Sequence, residues 1–479
     1  MIRSGYLLLF FLISFFLLNL QIANSTTLEP VPVDTTVTTS SAELLRILLE
    51  NGTITREQYN RLMQRDATDI TADLLDQDDD FGYTDVDVRT RRFRVRSDDG
   101  RDLFRLRGRL FVDGAYLNLN DNKNTVDDPR EGRGDLGNYG TIIRNARIGA
   151  EGVMYEDFLW RLDIDFRDEE IRFRGSYVEY IRLNPFRIMI GNVKEPIGLE
   201  WLTTRRNNTF LERAASLDAY KPDWELGVRL EYRGNRYNLM GGVFSGGETF
   251  RQRTVTDGYA LAGRATVAPY LSGTNYAHLG VGASYRVNSY TQRIDGQFDR
   301  QYLPIRLRTR LGTRAIDGRF IGDEDVTNAV DITRLNAEAA LGFGPFSLQG
   351  ELTAVEIQRD FGNENLSLGG YYVQASYFLT GESRTYRANR GNFGALIPNR
   401  NFRPGFGPGA IELAARFSSV NSIDKDYDGG KMDHYTLGVN WYLNREIRFM
   451  FNYIYLDAER MNGKQSKGSV YAVRMQLQF

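Results

Sequence analysis

From residue 91 to the end of the chain, apolar and polar positions alternate with a period of two. Phe104, Leu106, Gly108, Leu110 and Val112 alternate with Arg105, Arg107, Arg109, Phe111 and Asp113. Trp160, Leu162, Ile164 and Phe166 alternate with Arg161, Asp163, Asp165 and Arg167. Tyr435, Leu437, Val439, Trp441 and Leu443 alternate with Thr436, Gly438, Asn440 and Tyr442, and Ile447, Phe449, Phe451, Tyr453 and Tyr455 repeat the theme. The final stretch, SVYAVRMQLQF at 469–479, sets Tyr471, Val473, Met475, Leu477 and Phe479 against Val470, Ala472, Arg474, Gln476 and Gln478. A period of two puts each set on one face of an extended strand. About 16 strands fit between Leu103 and Phe479, and an amphipathic strand with a terminal aromatic suits the closing strand of a barrel. The links alternate in length. Those at 154–157, 184–185, 234–235, 269–275, 344–345 and 444–446 are short, and those at 118–139, 193–223, 288–333 and 421–432 are long. Short turns at one end and long loops at the other predict an all-β, transmembrane antiparallel β-barrel. The link at 381–409 falls on the short-turn side yet is long, so it marks either a missed strand pair or a turn folded into the pore.

Ahead of the barrel domain (91–479) the pattern changes. Residues 1–25 read as a signal peptide, with Arg3, an apolar run at 6–20 and the small-residue site Ala23-Asn24-Ser25. Residues 26–40 form a flexible lead. The segment 41–65 reads as a short N-terminal helical hairpin, periplasmic in this scheme, with Asn51-Gly52 ending the first helix and Thr55 with Gln58 capping the second. Residues 66–90 are an acidic linker.

Charge is nearly balanced, 60 Lys+Arg against 62 Asp+Glu, which excludes a strongly basic nucleic-acid binder. There is no cysteine, and His278 and His434 lie far apart in sequence, so neither a zinc centre nor a thiol nucleophile is expected. Gly241-Gly242 and Gly246-Gly247 lack the helix and lysine of a phosphate loop, and neither histidine has a nucleophile motif beside it. The reading is of a protein that is not an enzyme and needs no cofactor. Its partners are small anions and outer-membrane lipid, in the outer membrane of a Gram-negative-type bacterium.

The basic residues are 53 Arg and 7 Lys. An arginine facing lipid near mid-bilayer costs roughly 2–4 kcal/mol. Arg105, Arg107, Arg109, Arg144, Arg161, Arg172 and Arg174 are therefore expected to point into the lumen. Those paired with carboxylates such as Asp163 and Asp165 stiffen the wall. Those left unpaired at a constriction would select anions, because guanidinium matches phosphate and carboxylate geometry.

Four stretches carry a family resemblance: GNVKEPIGLE at 191–200, LERAASLDAYKPDWELGVRL at 211–230, YYVQASYFLTGESRTYR at 371–387 and GAIELAARFSSV at 409–420. Together they resemble the phosphate-selective porin O and P family over roughly residues 91–479. The resemblance implies a homotrimer of sixteen-stranded outer-membrane porins. It also implies a pore narrowed by two inward external loops, here 194–223 and 288–333, and by one long periplasmic turn, here 381–409. In family members that select phosphate, an arginine ladder leads to a central lysine-rich site. Arg109 and Arg144 look like ladder residues, with Asn145 where another arginine would be expected. Arg387 stands where a central lysine would, Trp201 and Ile397 occupy the other two lysine positions, and Arg174 falls at the site's aspartate. Tryptophan and isoleucine offer no cationic ligand. The solute is left open among phosphate, polyphosphate, other anions and small sugars, with a less selective solute porin and a non-conducting adhesive barrel as alternatives.

Overall fold

The computed structural model describes residues 94–96, 101–120, 138–166, 171–245, 258–288, 290–292, 300–302, 304–316, 318–322, 325–459, 463 and 465–479. The segments expected at 1–90, and Arg167, lie outside the described residues.

Sixteen strands close into a ring: β1 Leu103–Leu119, β2 Tyr139–Met154, β3 Phe158–Asp165, β4 in two pieces (Arg172–Phe173 and Tyr177–Tyr180), β5 Phe186–Lys194, β6 Trp224–Arg233, β7 Tyr237–Ser245 and β8 Tyr259–Ser272. They continue as β9 Asn275–Val287, β10 Ala329–Phe343, β11 Phe346–Arg359, β12 Leu366–Phe378, β13 Ala410–Asp424, β14 Tyr427–Tyr442, β15 Ile447–Glu459 and β16 Gln465–Gln478. Each strand pairs antiparallel with the next, and β16 returns to β1 in a register running from Arg109↔Gln478 to Leu119↔Gly468. Pairing β16 with β1 leaves no open edge between the first and last strands of the ring, the condition for crossing lipid with strands. Beyond Phe479 the same edge of β1 is continued by Arg94–Arg96, which pairs with Leu103–Arg105.

Two expected links are shorter in the structure. Between β13 and β14 the ladder continues through Ile423↔Asp428 and Asp424↔Tyr427, so the long loop expected at 421–432 contracts to a two-residue turn. Its polar sequence reads as loop, but the inward Tyr427 and Met432 are buried in the apolar core with Phe320 and Ile321 of the segment after β9. Between β8 and β9 the expected link 269–275 shrinks to residues 273–274, because β8 continues to Ser272 across a bulge between Val267 and Tyr270. Pro269 sits in that bulge, where it owes no ladder hydrogen bond.

The outer face is apolar: Leu226, Val228 and Leu230 of β6 and Leu437 and Val439 of β14 are all exposed. Aromatic pairs flank this band, with Tyr116–Tyr139 at 4.8 Å toward the loop end and Phe158–Tyr180 at 5.1 Å and Phe186–Tyr232 at 4.8 Å toward the turn end. The largest apolar core lies inside the barrel. Leu211, Ala215 and Tyr220 from the segment after β5 meet Leu307, Leu311, Ile316 and Phe320 from the segment after β9, against Leu117, Ile332, Val355, Ile454 and Val470 of the wall. The segment 195–223 carries α1 (Leu199–Leu202), a 3-10 turn (Arg205–Asn207) and α2 (Ala215–Tyr220). The long link after β12 carries a small hairpin, Tyr386–Arg387 paired with Asn392–Phe393, whose tip reaches the wall at β7 and β8. There Asn238 donates to the Asn389 carbonyl at 2.8 Å and Arg264 to that of Gly391 at 2.6 Å. This is the inward-folded alternative for 381–409.

Candidate functional site: a cationic cavity beside a clamped loop

The inward segment 195–223 is held by wall side chains of one half of the ring. Glu351 of β11 accepts the backbone N–H groups of Leu199 (2.9 Å) and Glu200 (2.7 Å). Arg448 of β15 donates to the carbonyls of Asn208 (2.9 Å) and Thr209 (3.0 Å), and Arg416 of β13 to that of Glu212 (3.1 Å). Arg144 of β2 makes a bidentate pair with Glu212 (2.5 and 2.9 Å), and Arg474 of β16 bridges Glu212 (3.0 Å) and Asp113 (2.7 Å). Buried guanidinium groups paired in this way fix a loop; removing one partner strands the other. Inward glycines let the loop approach. A Cβ on Gly438 would sit 3.0 Å from the Phe210 ring, and one on Gly370 2.7 Å from Ser216.

What the loop leaves open is a cavity of ≈ 310 Å³ against the wall from β1 to β7. Thirteen cationic side chains line it against four carboxylates, Asp163, Asp165, Asp223 and Glu231. Arg172, Arg174, Lys194 and Lys221 sit toward the loop end, and Arg161 and Arg233 toward the turn end. Between them lie Arg109 and Arg147 of the wall, Arg205 and Arg213 of the clamped loop, Arg314 of the 288–328 segment and Arg390 of the inward hairpin. Several are neutralised: Arg147 by Asp165 (3.2 Å), Arg174 by Asp223 (3.1 Å), Arg233 by Glu231 (3.0 Å) and Lys221 by Asp218 (2.9 Å).

Arg205 and Arg314 make no ion pair among the described residues, and the Nε of each is buried without a hydrogen-bond partner. Burial, and then repulsion from Arg144, pushes Arg205 well below the ordinary guanidinium value; repulsion from Arg144, and then burial, lowers Arg314. Guanidinium stays charged in proteins, so both groups remain cations whose charge is costly to hold where they lie. Burial alone would raise the Asp218 carboxyl, but Lys221 and Arg314 hold it below its usual range.

The expected site residues separate into groups. Arg109, Arg174 and Trp201 line the cavity, together with Asn145, Arg161 and Arg172. Arg109 stands 5.8 Å from the Phe111 ring centre. Trp201 is buried, its ring faced by Lys194 Nζ (4.7 Å), Arg213 Cζ (4.8 Å) and Lys221 Nζ (5.8 Å). Arg105, Arg107 and Arg144 face inward but do not line the cavity. Arg105 and Arg107 share Glu151, and Arg144 is spent on Glu212. Arg387 stays within the inward hairpin, donating to Asn392 Oδ1 at 3.1 Å and the Phe393 carbonyl at 3.3 Å. Ile397 is half exposed and away from the cavity. Sequence reasoning missed Arg205, Arg213, Arg314 and Arg390, which lie in aperiodic segments where no alternation marks an inward side chain.

A sequence model of the family described as "Phosphate-selective porin O and P" matches residues 115–479. An uncharacterized protein of Caulobacter vibrioides is 29% identical over 391 residues, 78% of this chain and 74% of that protein. Porin O of Pseudomonas aeruginosa is 26% identical over 437 residues, 82% of this chain and 93% of that protein. Among solved structures, the outer membrane channel DcaP of Acinetobacter baumannii superposes with a TM-score of 0.49 at 13% identity, covering 80% of this chain and 99% of that one.

Proposed function

The chain belongs to the phosphate-selective porin O and P family and is a porin of the Gram-negative outer membrane, and from that premise we propose that it is a passive, anion-preferring diffusion channel. In this proposal the functional assembly is the homotrimer that the family resemblance implies. The observation that carries the reading is the excess of thirteen cations over four carboxylates on one cavity, with Arg205 and Arg314 left without an ion pair among the described residues. Solute entering from the loop end meets Arg172, Arg174, Lys194 and Lys221 first. It exchanges part of its hydration for guanidinium hydrogen bonds around Arg205, Arg213 and Arg314, and leaves past Arg161 and Arg233. Partial neutralisation suits flux, since a fully unpaired array would retain an anion rather than pass it. No chemical step and no cofactor is involved.

The test is the reversal potential of purified protein in planar bilayers under a potassium chloride gradient. Anion preference is expected, reduced at least twofold as a permeability ratio in Arg205→Ala and in Arg314→Ala. Arg105→Ala, removed from the cavity, should leave the ratio as it is. A cation-preferring wild type would overturn the proposal, and unchanged ratios in the first two variants would remove those residues from the site.

A further inference from the structure

The cavity wall is not charge alone. Met189 and Val193 of β5, Trp224 of β6, Met240 of β7 and Leu202 of the clamped loop line it together with the arginines. On β5 the lumenal face carries Met189 and Val193, 3% and 1% exposed, which back the apolar strip that half-buried Leu202, Trp224 and Met240 present to the cavity. The cations beside this strip are set by indoles. Lys194 Nζ lies 4.7 Å from the Trp201 ring centre and 5.3 Å from that of Trp224, while its ammonium donates to the Trp201 carbonyl at 2.6 Å. The Trp201 ring thus helps to position Lys194, Arg213 and Lys221 through cation–π contact.

An inorganic anion has nothing to bury on thioether, isobutyl and indole surface, and that strip removes water it would otherwise keep. An anion with an apolar body gains there, and a planar body gains most beside Trp224. We propose that the solutes this cavity favours are small organic carboxylates with a planar apolar body. The carboxylate engages the guanidinium groups of Arg205, Arg213 and Arg314, and the body lies on the strip of Leu202, Trp224 and Met240. A cavity of ≈ 310 Å³ is large enough for one such solute. This inference rests on the anion-channel reading.

Chloride current through the reconstituted protein, titrated at constant ionic strength with sodium benzoate, sodium acetate and sodium phosphate, tests it. The concentration of benzoate that halves the current should be about tenfold below that of acetate, equivalent to about 1.4 kcal/mol. Phosphate should block no better than acetate. Trp224→Ser combined with Met240→Ser should bring the benzoate-to-acetate ratio toward one, and because the ratio is measured on inserted, conducting channels it is independent of folding yield. Equal block by benzoate and acetate, or stronger block by phosphate than by benzoate, overturns the inference and leaves an anion channel standing. A cation-preferring reversal potential in the same membranes overturns the channel reading beneath it.

Discussion

At the scale of the residue, arginine in this protein has two fates, and the nearest carboxylate decides between them. Arg144 and Arg474 converge on the single carboxylate of Glu212, which is buried with them. Removing one partner from a buried ionic cluster costs roughly 3–5 kcal/mol, because the groups left behind are charged and dry. Glu212→Ala is therefore expected to leave the barrel closed, since the ladder does not depend on it, but to release the segment 195–223 from the β2 and β16 side. Single-channel recordings should show conductance raised by half or more with added open-channel noise. A variant conducting like the wild type would mean that Arg448 and Arg416 hold the loop without that cluster. Trp201 belongs to the same scale. Its Nε1–H is buried and meets no acceptor among the described residues, so its contribution is the ring surface and the cations arranged on it.

At the scale of the element, the seam between β16 and β1 is closed by an aromatic lying over a glycine. The Gly108 N–H donates to the Phe479 carbonyl at 2.9 Å, the Phe479 N–H donates back at 3.0 Å, and a Cβ on Gly108 would overlap the Phe479 ring. Gly108→Val should displace that ring and cost about 1–3 kcal/mol, the usual range for overpacking. The folded, heat-resistant band on detergent gels should then convert to the unfolded one at a lower temperature, with part of the loss recovered in Gly108→Val/Phe479→Ala. An unchanged conversion temperature in the single variant would show that the ring turns away at no cost. The seam was legible in the sequence, as were the sixteen strands, because lipid on one face and lumen on the other impose a period of two. The clamped loop was legible only as a long link: Leu211 and Tyr220 bury against the segment after β9 and the wall, Leu217 against Ile197 and Trp201 of its own segment, and none follows a period. The signal for it was on the strands. Gly282, Gly370 and Gly438 interrupt the polar face, and in the structure Ile197, Ser216 and Phe210 approach them. Arg105, Arg107 and Arg144 show the converse limit: the alternation turns them inward, but a carboxylate brought close by folding decides whether they meet solute.

At the scale of the whole molecule, net charge and pore charge point in opposite directions. The chain carries a formal charge of −2, yet its cavity gathers thirteen cations against four carboxylates, so the compensating acid lies elsewhere in the chain. An apolar core within the lumen leaves the cavity on the cationic side, where low-dielectric walls strengthen the field. Such a field is screened by salt only where ions can accumulate. The Debye length falls from about 30 Å at 0.01 M to about 10 Å at 0.1 M and 3 Å at 1 M. At low salt the potential of the whole cationic wall reaches the mouth; at high salt only charges in direct contact with the solute act. If selectivity is set by the wall as a whole, the anion permeability ratio under a 10/100 mM potassium chloride gradient should exceed that under 0.1/1 M several-fold. The ratio at high salt should still favour chloride, because Arg205 and Arg314 line the cavity itself. Removing both arginines should then abolish the high-salt preference while leaving part of the low-salt one. Equal ratios at the two ionic strengths would locate selectivity entirely at contact range and reduce the outer arginines and lysines to scaffolding.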